Sequence, residues 1–105
     1  MGAMILLSGY LEYRPEERDD VVAGLVEVAR RSREDPGCID YWWAEDLVTP
    51  GRFRFLECWE TEAEFAAHRD QPYEHEFMAR FVDNRVTGAD AWSYATTGRT
   101  SAMGA

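Results

Sequence analysis

Between Gly51 and Phe81 the chain changes period once, and that change limits what it can fold into. Up to Glu60 the residues alternate, with Phe53, Phe55, Glu57 and Trp59 on one face and Arg52, Arg54, Leu56 and Cys58 on the other. Thr61 and Glu64 then form a T-x-x-E capping box, whose hydroxyl and carboxylate satisfy orphan amides at a helix start near Glu62. A strand therefore runs directly into a helix. The strand brings a carboxylate and an indole, and the helix places Phe65 and His68 three apart on one stripe. Carboxylate, indole and imidazole can share one space.

The rest of the chain is read around that unit. Residues 5–13 form a strand that is apolar on both parities, so both of its faces are covered. Pro15 suits a first helical position, and Glu16, Glu17, Asp19 and Asp20 complement the positive end of the helix that follows. Val22, Leu25, Val26 and Ala29 form its apolar stripe. Arg30, Arg31 and Arg33 close it, as an anion site or, more simply, as cations at the negative end of the dipole. Pro36 and Gly37 stop it. Cys38 to Asp46 is a second strand with Trp42 and Trp43 on opposite faces, and Thr49, Pro50 and Gly51 turn it into the third. Pro72 interrupts the second helix, which resumes over about 73–83 with Phe77 and Phe81 inward, and a last strand covers about 89–96.

The order β-α-β-β-α-β, with the second helix broken, is an α+β ferredoxin-like split unit spanning residues 4–96. Residues 1–3 and 97–105 read as flexible or appended ends. Two helices cover one face of a four-stranded sheet, yet both strand parities are apolar; a second copy related by a two-fold axis is the simplest cover for the other face. A net charge of -9, from 20 acidic and 11 basic residues, disfavours nucleic acid and anionic membrane surfaces. All 11 basic residues are arginine, which excludes Schiff-base chemistry. With no leader or apolar span in view, the expected location is the cytoplasm. Cys38 and Cys58 read as buried thiols in neighbouring strands, out of register for a disulfide.

Trp42, Trp43, Trp59, Phe65, Tyr73, Phe77 and Phe81 are the candidate walls of an aromatic pocket for a flat, hydrophobic ligand. Glu57 is placed to hydrogen-bond His68, either fixing a histidine base in one tautomer or neutralising a structural imidazole. His75, in the exposed-looking run Tyr73–Glu76, is the weaker candidate base. The two histidines lack the spacing of a metal pair, and there is no phosphate loop or serine elbow.

The run G-R-F-x-x-x-E-x-W, carried here by Gly51, Arg52, Phe53, Glu57 and Trp59, followed by Ala66, His68, Tyr73 and Phe77, resembles the antibiotic biosynthesis monooxygenase domain family over roughly residues 4–95. The resemblance implies a dimer whose two sheets close into an α+β barrel. It implies oxidation of anthrones, quinols or related phenols by dioxygen without metal, flavin or haem. It also implies His68 as base, Glu57 as its orienting partner, and Trp59 with Tyr73 as a ring clamp. Two departures limit it. The pocket asparagine of some polyketide-tailoring members has no counterpart near Trp59, since the only asparagine is Asn84, and Ser8, Gly9 and Met78 stand where haem-degrading members carry their asparagine and histidine. The same pocket also suits an isomerase or other proton-shuttling enzyme, or a non-catalytic binding or assembly protein.

Overall fold

The computed structural model describes residues 3–104. Strand β1 (Met4–Glu12) leads through a 3-10 turn (Pro15–Glu17) into helix α1 (Arg18–Ser32). Strands β2 (Cys38–Glu45) and β3 (Arg52–Trp59) form a hairpin, and β3 runs into α2 (Glu62–Arg69). Helix α3 (Pro72–Phe77), a π-helical turn (Met78–Val82) and β4 (Gly88–Thr96) complete the chain. The sheet order is β2-β3-β1-β4 with every neighbour antiparallel, the ferredoxin-like arrangement.

Local chemistry sets the boundaries. The Asp46 carboxylate accepts from the Val48 and Thr49 amides at 2.8 and 3.0 Å, closing the β2–β3 loop as an Asx turn. At the start of α2, Thr61 Oγ accepts from the Glu64 amide at 3.2 Å, as the capping box requires. The Glu64 carboxylate, however, accepts from the Thr61 hydroxyl at 3.1 Å and packs on Gly37, whose φ of 82° carries the chain out of the α1–β2 loop. Helix α1 buries Val21, Leu25, Val28, Ala29 and Ser32 at helical spacing. Gly24 leaves room for the Phe81 ring, which a Cβ there would strike. Tyr13 donates to the Phe81 carbonyl at 2.5 Å, so the end of β1 holds the π-helical turn in place.

The helices cover the inner face of the sheet. One inner row crosses all four strands as Tyr41, Glu57, Leu7 and Ser93. The core, which includes Leu11, Tyr41, Phe53, Trp59, Phe77 and Phe81, sits under α1, α2 and α3. Strand β4 is left out of it: its inner residues Ala89, Ala91, Ser93 and Ala95 are exposed. The outer face carries Leu6, Tyr10, Trp42, Leu56, Trp92 and Tyr94, and no described element packs over it; Trp92 and Tyr94 are 62% and 52% exposed. The expectation that β1 is covered on both sides therefore fails within one protomer. Cys38 and Cys58 are both free; a bulge between Cys38 and Asp40 pairs Cys38 with Trp59 and Asp40 with Cys58. No described helix is long and apolar enough to cross a membrane.

Candidate active site

The inner face of β3 delivers Glu57 and Trp59, because period two keeps them on one side, and the capped start of α2 turns His68 down onto them. Trp59 is fully buried and stacks on the imidazole, with ring centroids 4.5 Å apart and planes 29° apart. Its indole N–H donates to Glu57 Oε1 at 3.0 Å. These three residues meet as the sequence suggested.

The partners of His68 are not the expected ones. Its Nδ1 lies 2.9 Å from Asp35 Oδ2 and 3.1 Å from the Tyr73 hydroxyl, and its Nε2 lies 2.9 Å from Glu74 Oε2. Glu57 Oε1 is 3.8 Å from Nε2, too far for a hydrogen bond. The reason is the Trp59 indole, which already holds that oxygen. Asp35 acts as a hub, accepting from Tyr73 O–H and, at 3.2 Å, from the Gln71 amide. Glu74 Oε2 is buried and held by charge without hydrogen-bond alignment.

With a carboxylate beside each nitrogen the imidazolium is the favoured form, since it donates to Asp35 and offsets Glu74 by charge. Burial opposes that charge, but Glu74 and Asp35, with Glu57 behind them, outweigh it and hold the His68 pKa above its ordinary value. Glu57 is raised as well. Burial pushes its carboxyl up and nearby Glu74 adds to this, while the Trp59 N–H and the His68 charge draw it back. His68 is only 2% exposed, whereas the Glu57 side chain keeps 12% of its surface open. Glu74 at 13% and Asp35 at 10% are open to a similar degree, so the accessible acid–base groups of the cluster are its carboxyls, among them Glu57 with its raised pKa.

The candidate pocket walls separate. Trp42 lies on the outer face opposite Leu56 and cannot share a pocket with Trp43, which stands on the inner face opposite Phe55. Trp59 has no open surface to offer a ligand, so it positions Glu57 and does not clamp a ring. Phe77 and Phe81 stack on each other in the core at 5.6 Å. Together with Tyr73 they also floor a groove of about 300 Å³ between α1 and α3, rimmed by Asp20, Glu27, Arg31, Glu76 and Arg80. Phe65 is half-buried beside Trp59, and His75 is exposed. Among the described residues these rings do not gather into one chamber. The row of Glu57 continues through the half-buried Leu7 to Ser93, where the inner side of β4 is exposed.

Asp35 and Glu74 were missed by the sequence reading. Asp35 ends the α1 segment 33 residues before His68, and Glu74 lies across the Pro72 break. Local periodicity relates neither to the imidazole; the only hint was that a histidine on a buried stripe needs acidic company.

A family model described as antibiotic biosynthesis monooxygenase matches residues 4–80. An uncharacterised protein of Synechocystis sp. is 32% identical over 79 residues, 75% of this chain and 54% of its own length, so the chain spans about half of that relative. A Bacillus subtilis protein named "Putative monooxygenase YcnE" is 27% identical over 77 residues, 73% of this chain and 81% of its own. The crystal structure of a "putative antibiotic biosynthesis monooxygenase" from Deinococcus radiodurans superposes with a TM-score of 0.86 at 25% identity, covering 95% of this chain and 99% of that one. A Nitrosomonas europaea structure shares the fold at a TM-score of 0.84 and 17% identity, over 96% of this chain and 97% of its own.

Proposed function

The chain belongs to the antibiotic biosynthesis monooxygenase family, and on that premise we propose that it is a cofactor-independent monooxygenase acting on a small, electron-rich aromatic of the quinol or anthrone type. The observation that carries the reading is Glu57: a largely buried carboxyl with a raised pKa, fixed by the Trp59 indole and set beside the His68 ring, in a row that runs through Leu7 to the exposed inner residues of β4. A base works best with a pKa near the working pH, and burial moves a carboxyl that way.

In this reading Glu57 takes over the base role that the resemblance gave to His68. The substrate ring lies over Leu7 and the small residues of β4, with Phe65 at its edge. Glu57 removes a proton from the acidic carbon or hydroxyl, and the resulting anion passes one electron to dioxygen. Recombination forms a carbon–oxygen bond and, with the proton returned by Glu57, a substrate hydroperoxide. Loss of water then leaves a carbonyl, so that a CH₂ group and O₂ become C=O and H₂O. The imidazolium favours the ionised form of Glu57 and the anion beside it. The partner for the bare outer face is a second copy of the chain.

The test is oxygen uptake by chelator-treated protein against a panel of anthrones and naphthoquinols. Wild type should exceed spontaneous oxidation, and Glu57→Gln should lose about 100-fold or more of that rate while keeping its fold. The wild-type rate should rise with pH as Glu57 ionises. A Glu57→Gln variant with full turnover, or a wild type no faster than the uncatalysed reaction, would overturn the reading.

A further inference from the structure

On the other flank of α1, away from Glu57, the helix and strand β2 enclose a slot of about 430 Å³, within the size range of small-molecule sites. Its apolar walls are Val22, Leu25, Val26, Ala29, Trp43 and Phe53. The Trp43 indole N–H is spent on the Tyr41 hydroxyl at 3.1 Å, which fixes the ring and leaves the slot an aromatic surface. Val26 is 43% exposed although it is a large aliphatic on a charged helix.

Arg30 and Arg33 line the same slot, three residues apart on one helical face. Arginines 18, 31, 52, 54, 80 and 85 each pair with a carboxylate. Among the described residues, Arg14, Arg30, Arg33, Arg69 and Arg99 do not, and of these five Arg30 and Arg33 are the two that line the slot. Arg33 is nevertheless held, because its Nε donates to the Tyr41 carbonyl at 2.8 Å. Glu45, the acid among the lining residues, is taken by Arg18, whose Nε and a terminal nitrogen reach it at 3.0 and 2.5 Å. Cations that only complemented a helix end would need neither an aromatic floor nor a neighbouring acid already engaged.

We propose that this slot is a second binding site, for a flat aromatic anion of two or three fused rings, with its ring against Trp43 and Val26 and its carboxylate or phenolate at Arg30 and Arg33. Guanidinium groups suit such a ligand because their donors match a carboxylate in pairs. The slot is lined by neither Glu57 nor His68, and the proposal does not rest on the oxygenase reading.

The test is titration of 2-naphthoate into isotopically labelled protein, following the indole N–H signal of Trp43, with the neutral isostere 2-naphthamide alongside. Naphthoate should shift that signal saturably with one site per protomer, and naphthamide should bind about tenfold more weakly or less. An Arg30→Gln, Arg33→Gln double variant should lose about tenfold for naphthoate and little for naphthamide. Val26→Trp, which fills the slot from the helix surface, should block both ligands. An unmoved Trp43 signal at millimolar naphthoate, equal affinity for the two ligands, or undiminished binding by the double variant would each overturn the proposal.

Discussion

Replacing His68 by Gln removes the positive charge around which Asp35, Glu57 and Glu74 are arranged, and the structure indicates where the cost should fall. Breaking a buried ion pair by deleting one partner costs about 3–5 kcal/mol, because the other charge is left uncompensated. Asp35 is cushioned, since it keeps the Tyr73 hydroxyl and the Gln71 amide. Glu74 is not, since its buried Oε2 has no hydrogen-bond donor and loses the 2.9 Å contact with Nε2. Loss of the cation stacked on Trp59 adds about 0.5–1 kcal/mol. Taking the lower half of the pair cost because Asp35 is cushioned, we expect His68→Gln to lose about 3.5–5 kcal/mol, a large share of the roughly 5–15 kcal/mol that holds a domain together. Adding Glu74→Gln should then recover about 1–3 kcal/mol by neutralising the stranded charge.

The same cluster sets a pH dependence. A group whose folded pKa lies above its unfolded value stabilises fully below the unfolded pKa, and that stability is lost as pH rises through the folded one. For His68 the window opens at the ordinary 6.5 and extends to its raised value. Glu57 acts in the same direction, but from 4.5 upward. Urea unfolding at fixed protein concentration, at mildly acidic, neutral and alkaline pH, should show wild type weakening above 6.5 and His68→Gln nearly flat there. A His68→Gln variant within about 1 kcal/mol of wild type, or one that Glu74→Gln does not rescue, would refute the charge argument.

Other outcomes follow from single contacts. On the proposed pairing through the outer face, wild type should sediment as a dimer and Leu56→Asp as a monomer, since a carboxylate buried between two sheets would lack a partner. Thr61→Ala removes the acceptor for the Glu64 amide and should cost about 1 kcal/mol in thermal or urea unfolding. Tyr13→Phe leaves the Phe81 carbonyl without its 2.5 Å donor inside the core and should cost about 1–3 kcal/mol, with faster amide exchange across residues 78–82.

Much of the fold was legible because its signals are local. Thr61 and Glu64 fixed the start of α2, the Pro50–Gly51 turn fixed the hairpin, and Pro72 marked the helix break. The last helix ran over its boundary because Phe77 and Phe81 keep helical spacing through a turn that is wound as π, a difference of hydrogen bonding and not of pattern. Opposite parity showed that Trp42 and Trp43 face different ways. It could not show that Trp42's side is bare, which depends on where both helices pack. In the site, Glu57, Trp59 and His68 were found because strand and helix periods place them together. Asp35 and Glu74 arrive by tertiary routes, and they raise the imidazole's pKa toward the charged form.

Strand β4 is bare on both faces and is also the last strand of the sheet, paired along one side with β1 and along the other with nothing described. A lone protomer thus offers a row of unpaired backbone donors and acceptors beside Trp92 and Tyr94, the kind of template on which further strands add without limit. Its guards are Asp90 and the small side chains that alternate with the rings. A second copy docked over the outer face would bury those rings and make a misplaced strand harder to accept. On the assembly proposed above, a second copy would be a safeguard as well as an architecture: it would shorten the time for which a newly made protomer shows this edge and these rings to another chain.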